Sequence, residues 1–141
     1  LIFFTEGYGS KMQDWSWDAS SVSSDFAVSG TQSLKEVFAA GGGQGLSFHW
    51  DDTITLSQYQ YISFWVKGGS DDNQISIATD AVITGAAANT SVAIPAGVWT
   101  YITAPMSVFS ATTSCQRFDF QITGPNTTQT LYFDNVILVK Q

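Results

Sequence analysis

The sequence predicts an all-β chain folded as an antiparallel two-sheet β-sandwich, a jelly roll. Three observations predict it. Segments alternating apolar and polar residues recur from end to end, bounded by Gly, Ser and Asp, and such alternation marks half-buried strands. No stretch of ten or more residues carries an apolar stripe at helical period. The segments are short and closely spaced, with turn signals between them, as in sandwiches and jelly rolls.

In chain order, Leu1-Ile2-Phe3-Phe4 opens a strand near 2–5. Asp14-Trp15-Ser16-Trp17-Asp18 places two tryptophans two residues apart in a strand at 13–18, so both rings leave the same side. A strand at 33–39 follows, then one at 45–51 with Leu46, Phe48 and Trp50 inward and Ser47, His49 and Asp51 outward. The segment 60–67 turns Ile62, Phe64 and Val66 inward and Tyr61, Ser63, Trp65 and Lys67 outward. In 73–80, Ile75 and Ile77 face in while Gln74, Ser76 and Ala78 face out. Strands at 91–94 and 98–105 precede 117–123, where Phe118, Phe120 and Ile122 face in and Asp119, Gln121 and Thr123 face out; 130–139 closes the chain. Each inward Phe, Ile or Leu is worth about 1.5–3 kcal/mol when fully buried. Gly41-Gly42-Gly43 and Gly68-Gly69-Ser70-Asp71-Asp72 are breaks, Ala81 to Asn89 reads as a loop, and Gly124-Pro125-Asn126 as a turn between the last two strands.

The length of 141 residues fits one domain, 1–141. Five Lys and Arg against 12 Asp and Glu give a net charge of −7. That balance argues against nucleic acid and anionic membranes as partners, both of which select basic patches, and permits a divalent cation or a neutral polymer. The single cysteine, Cys115, leaves no internal disulfide. With so few charges, solubility rests on Ser, Thr, Asn, Gln and Gly, a style that suits a secreted chain. No apolar run is long enough to span a membrane as a helix. The opening residues lack the basic region of a secretory leader, so the expectation is a chain from which any leader is already absent. Asn89-Thr90-Ser91 and Asn126-Thr127-Thr128 fit the glycosylation acceptor pattern.

Five motifs in register carry a family resemblance: Gln13-Asp14-Trp15-Ser16-Trp17; Ser29-Gly30-Thr31-Gln32-Ser33-Leu34-Lys35; Tyr61-Ile62-Ser63-Phe64-Trp65-Val66-Lys67-Gly68-Gly69; Gly97-Val98-Trp99-Thr100-Tyr101; and Leu131-Tyr132-Phe133-Asp134-Asn135-Val136. With them the chain resembles the carbohydrate-binding modules of the calcium-containing jelly-roll type attached to secreted glycoside hydrolases. The resemblance implies one structural calcium, with Glu6, the backbone around Gly30 to Gln32, and Asp134 in the matching places. Calcium takes six to eight hard oxygens; one His and one Cys cannot assemble a typical zinc site. Glu36 departs from the pattern, which carries an apolar residue there. Either a bulge shifts the register or a carboxylate is buried beside a cation, as an extra ligand.

Sugar rings present apolar faces that pack on indoles, and hydroxyls that need donors and acceptors. The strands at 45–51, 73–80, 98–105 and 117–123 are expected to share one sheet, whose outward set is His49, Asp51, Gln74, Ser76, Tyr101, Asp119 and Gln121. Trp15 and Trp17 would floor that surface; Trp99 and Trp50 read as packing residues. The expected ligand is a neutral polysaccharide, a β-glucan or related cell-wall glycan, bound without catalysis by a secreted, monomeric module linked covalently to a catalytic domain. Two other readings stay open: a small glycan hydrolase or lyase, and an adhesion sandwich that binds protein. Hydrolysis needs two carboxyls about 5–5.5 or 6.5–9.5 Å apart. Asp51-Asp52 and Asp71-Asp72 point their members to opposite faces, which leaves only Asp51 with Asp119.

Overall fold

The computed structural model describes residues 1–17, 19–79, 90–109 and 113–141. Eleven strands appear among them: β1 (Ile2–Phe4), β2 (Met12–Asp14), β3 (Ser20–Ser23), β4 (Ser33–Phe38), β5 (Leu46–Thr55), β6 (Tyr59–Lys67), β7 (Asn73–Thr79), β8 (Thr90–Ile94), β9 (Trp99–Pro105), β10 (Ser114–Ile122) and β11 (Gln129–Lys140). Short 3-10 turns at Leu56–Gln58 and Met106–Phe109 are the only helical segments described. All pairing is antiparallel. One sheet runs β3-β4-β11-β6-β9, with β1 also paired to β11; the other runs β2-β5-β10-β7-β8. The predicted all-β sandwich is the observed architecture.

The alternation read from the sequence explains why the sheets stack. Phe48, Phe118 and Phe120 from the five-stranded sheet meet Phe64 and Phe133 from the six-stranded one, all fully buried. Phe120 lies 5.8 Å from Phe48, 5.1 Å from Phe64 and 5.8 Å from Phe133, joining the two layers. Phe3 on β1 packs 5.5 Å from both Phe48 and Phe118.

Three expectations need correction. The strand at 98–105 does not join the sheet of β5, β7 and β10. It is β9, the edge of the six-stranded sheet, where Tyr101 lies opposite Trp65 on β6. Local alternation fixes which residues face inward but not which sheet a strand enters, and the chain changes sheets between β8 and β9 through Gly97 at φ +70°. The strand at 13–18 ends at Asp14, whose carboxylate accepts the Ser16 amide in place of a ladder partner. β3 was not expected, because Ser-Ser-Val-Ser has a single apolar residue. Glu36 sits on β4 in unbroken register with both neighbours, opposite Ser20 and Leu131, so no bulge diverts it. It is a fully buried carboxylate in the inward phase. The loop expected at 81–89 and the acceptor Asn89 lie outside the described residues, as does Asp18.

Candidate ligand-binding face

The outer face of the five-stranded sheet is polar because each of its strands alternates, and register aligns the polar positions into rows. Gln13 (β2), His49 (β5) and Arg117 (β10) form one row, and Ser47, Asp119 and Ala78 the next. Gln121, Ser76 and Ser91 follow on β10, β7 and β8.

Both tryptophans lie over this face, each with one side covered and the other open. Although the strand has ended, the Trp15 and Trp17 amides still donate to the Ser47 and Gly45 carbonyls, which keeps the segment against β5. The Trp15 indole stacks on the His49 imidazole at 3.6 Å with planes 2° apart. Its Nε1 donates to Gln13 Oε1 at 2.8 Å, and Gln13 Nε2 donates to Asp51 Oδ1 at 2.9 Å. Trp17 lies over Gly45 and donates through Nε1 to the Gly43 carbonyl at 2.8 Å. The Arg117 guanidinium is 5.9 Å from the Trp17 ring centroid. Trp15 remains 48 % exposed and Trp17 40 %. Both rings are therefore fixed before any ligand arrives, which lowers the ordering cost of binding.

The other expected residues divide into two groups. His49 is buried beneath Trp15, so it supports the indole rather than meeting a ligand. Asp51 is exposed but engaged by Gln13. Asp119 is only 2 % exposed: Ser47 Oγ donates to it at 2.6 Å and Arg117 Nε lies 3.0 Å from Oδ1. Its oxygens are thus engaged by Ser47 and Arg117. Gln121 is half-buried and reaches the Gln44 carbonyl; Gln74 is exposed and accepts from Ser91 Oγ at 3.0 Å. Gln74, Ser91 and Ala93 also line an open cleft of about 620 Å³ at the sheet edge, closed by Asp71, Asp72 and the turn at Gly124–Asn126. The face thus continues from the tryptophans into this cleft. Tyr101 is on the opposite side of the sandwich.

Arg117 and Gln13 were not singled out from the sequence. The signal was available: Arg117 alternates in phase with Asp119 and Gln121, and Gln13 with Trp15. Beside the platform, Tyr8 donates to Asp14 Oδ2, which also accepts from Ser20 Oγ. Burial, then the bond to Asp14 and its charge, pushes the Tyr8 hydroxyl far above its ordinary range. Burial opposes ionisation of Asp14, but the hydrogen bonds from Ser16, Ser20 and Tyr8 outweigh it and keep the carboxyl below its usual value.

The expected metal residues Glu6 and Asp134 each bond the loop 24–32 over the other sheet. Glu6 accepts the Thr31 amide on both oxygens at 3.0 Å and the Thr31 hydroxyl at 3.1 Å. The Thr31 amide above all, helped by that hydroxyl and the Gln32 amide, holds the Glu6 carboxyl below its ordinary 4.5. Fully buried Asp134 accepts the Val28, Ser29 and Asn135 amides at 2.8, 3.1 and 2.7 Å. Gly30, at φ +64°, lies so close to Glu6 that a Cβ would strike the carboxylate. Hard carboxylate oxygens on both sides of a tight peptide loop are the right kind of donors for calcium. Among the described residues, no group of three or more His, Cys, Asp or Glu gathers as a metal site, so backbone oxygens would have to complete the shell.

No protein-family model matches the chain, and no curated protein matches its sequence. Solved structures do match. The family 11 carbohydrate-binding module from Clostridium thermocellum, in complex with a β-1,3-1,4-mixed-linked tetrasaccharide, superposes with a TM-score of 0.65 over 99 % of this chain and 94 % of its own, at 18 % identity. The fold is the one this module has. A variant of a family 29 module gives 0.69 over 98 % of this chain and 89 % of its own, at 12 % identity. Another family 29 variant, complexed with cellulohexaose, gives 0.67 over 98 % and 88 %, also at 12 % identity.

Proposed function

We propose that this chain binds a neutral β-glucan or related cell-wall polysaccharide, without catalysis, on the outer face of the five-stranded sheet. The observation that carries the reading is the pair of pre-fixed indoles, Trp15 on His49 and Trp17 on Gly45, each with one face open beside a row of hydrogen-bonding side chains. Sugar rings stack on Trp15 and Trp17, while Arg117, Gln121 and Gln74 bond their hydroxyls. The mixed-linked glucan and cellulohexaose of the modules that share this fold support the choice of ligand class. Single-site affinity is expected between micromolar and millimolar, about −4 to −8 kcal/mol. Such a module would keep a linked catalytic domain, in a secreted protein, close to its substrate by raising effective concentration.

The non-catalytic reading is supported by Asp119. A carboxylate bonded by Ser47 and Arg117 and 2 % exposed is poorly placed to act with Asp51 as an acid–base pair. We also propose a structural calcium held by Glu6, Asp134 and the loop between Val28 and Gln32; bound there, it would neutralise both carboxylates and tie β1 and β11 to the loop. Affinity electrophoresis against mixed-linkage β-glucan, xylan and mannan, with wild type, Trp15→Ala and Trp17→Ala, tests the binding claim. Retardation by a glucan that either substitution removes is expected; no retardation by any polymer refutes it. Saturating calcium should raise the melting temperature and chelator should reverse the rise, since a ligand at 100 times its Kd adds about 2.7 kcal/mol; an unchanged melt refutes the metal.

A further inference from the structure

The outer face of the six-stranded sheet also carries aromatic residues, and the glycan reading above does not use them. Lys35, Tyr132, Lys67 and Trp99 stand in register across β4, β11, β6 and β9, and the next row sets Trp65 beside Tyr101. The loop 24–32 covers the β4–β11 half of this face. Its Phe26 ring meets Tyr132 edge-on at 5.0 Å and lies 4.5 Å from the Lys67 ammonium. Past Phe26 the β6–β9 half is open. Tyr101 is 50 % exposed, and its ring lies 5.2 Å from that of Trp65 with planes 44° apart. Trp99 and Tyr101 alternate on the edge strand, so they share a side about 6.8 Å apart along it.

The charge on this face is distinctive in a chain of net −7. Lys35 is offset by Asp25 at 3.0 Å. Asp134, in the row of Trp65, is fully buried and bonded by the loop amides. Lys67 has no carboxylate partner among the described residues, and its contact is the face of an aromatic ring. What remains exposed is a ring surface with a single positive charge at its side. A second copy docking through the same patch would bring a second Lys67, and no carboxylate of the open patch, into the interface. A sugar ring bearing a carboxylate fits both features: its C–H face packs on Trp99 and Tyr101, and its carboxylate meets Lys67.

We propose that this face is a second glycan site, for polysaccharides carrying uronate carboxylates, centred on Lys67, Trp99 and Tyr101. It does not rest on the assignment of the Trp15 and Trp17 face, and the two are separable by experiment. The probe is polygalacturonate, with mixed-linkage β-glucan as the neutral comparison, in affinity electrophoresis and calorimetry at low and high salt. The Trp15→Ala/Trp17→Ala double variant should keep its affinity for polygalacturonate. Tyr101→Ala and Lys67→Gln should each weaken that affinity five- to tenfold and leave β-glucan binding unchanged. Added salt should weaken polygalacturonate binding in wild type and have little effect on Lys67→Gln. Circular dichroism melts confirm that the variants fold; should Tyr101→Ala not fold, Lys67→Gln and Lys67→Met carry the test. The proposal is overturned by no binding of polygalacturonate, by binding indifferent to both Lys67 substitutions, or by equal retention of a neutral glucan through Tyr101. A dimer in light scattering that Tyr101→Ala dissolves would overturn it in favour of self-association.

Discussion

Replacing Gly45 by alanine tests the platform without removing any aromatic residue. Gly45 lies beneath Trp17, where an added Cβ would sit 2.7 Å from Cη2 and 2.8 Å from Cε2, and closer still to Cζ2. Ordinary contact begins at 3.4 Å, so the indole must lift by 0.7 Å or more. The ring is the far part of a half-exposed side chain and can move, but doing so strains its 2.8 Å bond to the Gly43 carbonyl and opens its approach to Arg117. A lost exposed hydrogen bond costs about 0.5–1.5 kcal/mol, so the melting temperature should fall by only a few degrees. Binding should suffer more. A stacking residue moved out of its productive plane loses on the order of 1–2 kcal/mol, or about five- to thirtyfold in affinity. Calorimetry with mixed-linkage β-glucan reads the affinity, and tryptophan fluorescence reports whether the indole has moved. A shifted emission with affinity within twofold of wild type would show that Trp17 is not part of the platform. An unshifted emission would show that the steric reasoning is wrong.

Phe120→Ala, which removes the ring joining Phe48, Phe64 and Phe133, should cost about 3–5 kcal/mol, read as a lower urea midpoint. Arg117→Met strips the cation from a buried carboxylate and should destabilise by about 3–5 kcal/mol. Adding Asp119→Asn should recover part of that loss, and a double-mutant cycle showing simple additivity would mean the pair is not coupled. Glu6 carries an acid dependence. Its folded pKa lies below the ordinary 4.5, so its contribution is complete above that value and is lost as pH falls through the folded one. The melting temperature of wild type should therefore drop between pH 5 and pH 3 (about the carboxylate range) more steeply than that of Glu6→Gln; parallel curves would remove Glu6 as a latch on the loop.

Alternation in 46–50, 62–66 and 118–122 sorted core side from outer side because the apolar residues of each strand pack into the sandwich, even though outward Ser47, His49, Ser63 and Asp119 are themselves buried. It could not place β9, since Trp99–Pro105 alternates equally well in either sheet and its partner is set by the crossing at Gly97. The site was legible as residue types rather than as roles. His49, Asp51 and Asp119 are polar residues on the expected face, yet each spends its polarity on a neighbour: stacking under Trp15, bonding Gln13 and pairing with Arg117. The pairing of Asp119 with Arg117 is local, two residues apart on one strand, but the others span long stretches of chain, 38 residues from Gln13 to Asp51 and 72 from Ser47 to Asp119, and no local pattern encodes those. The buried Glu36 was visible only as a departure from an otherwise apolar position.

One detail of the platform limits what it can read. Both indole N–H groups are committed inside the protein, Trp15 to Gln13 and Trp17 to the Gly43 carbonyl. Neither is left to question a ligand about the orientation of its hydroxyls. In the binding mode proposed above, the tryptophans would act as gauges of flatness, accepting a ring whose face lies open and rejecting one that raises an axial group against them. Discrimination among flat sugars must fall to the groups that still hold uncommitted donors beside them, above all the Arg117 guanidinium. A family of variants altered at Arg117 alone should then differ in which glucan they prefer, while sharing one requirement for shape.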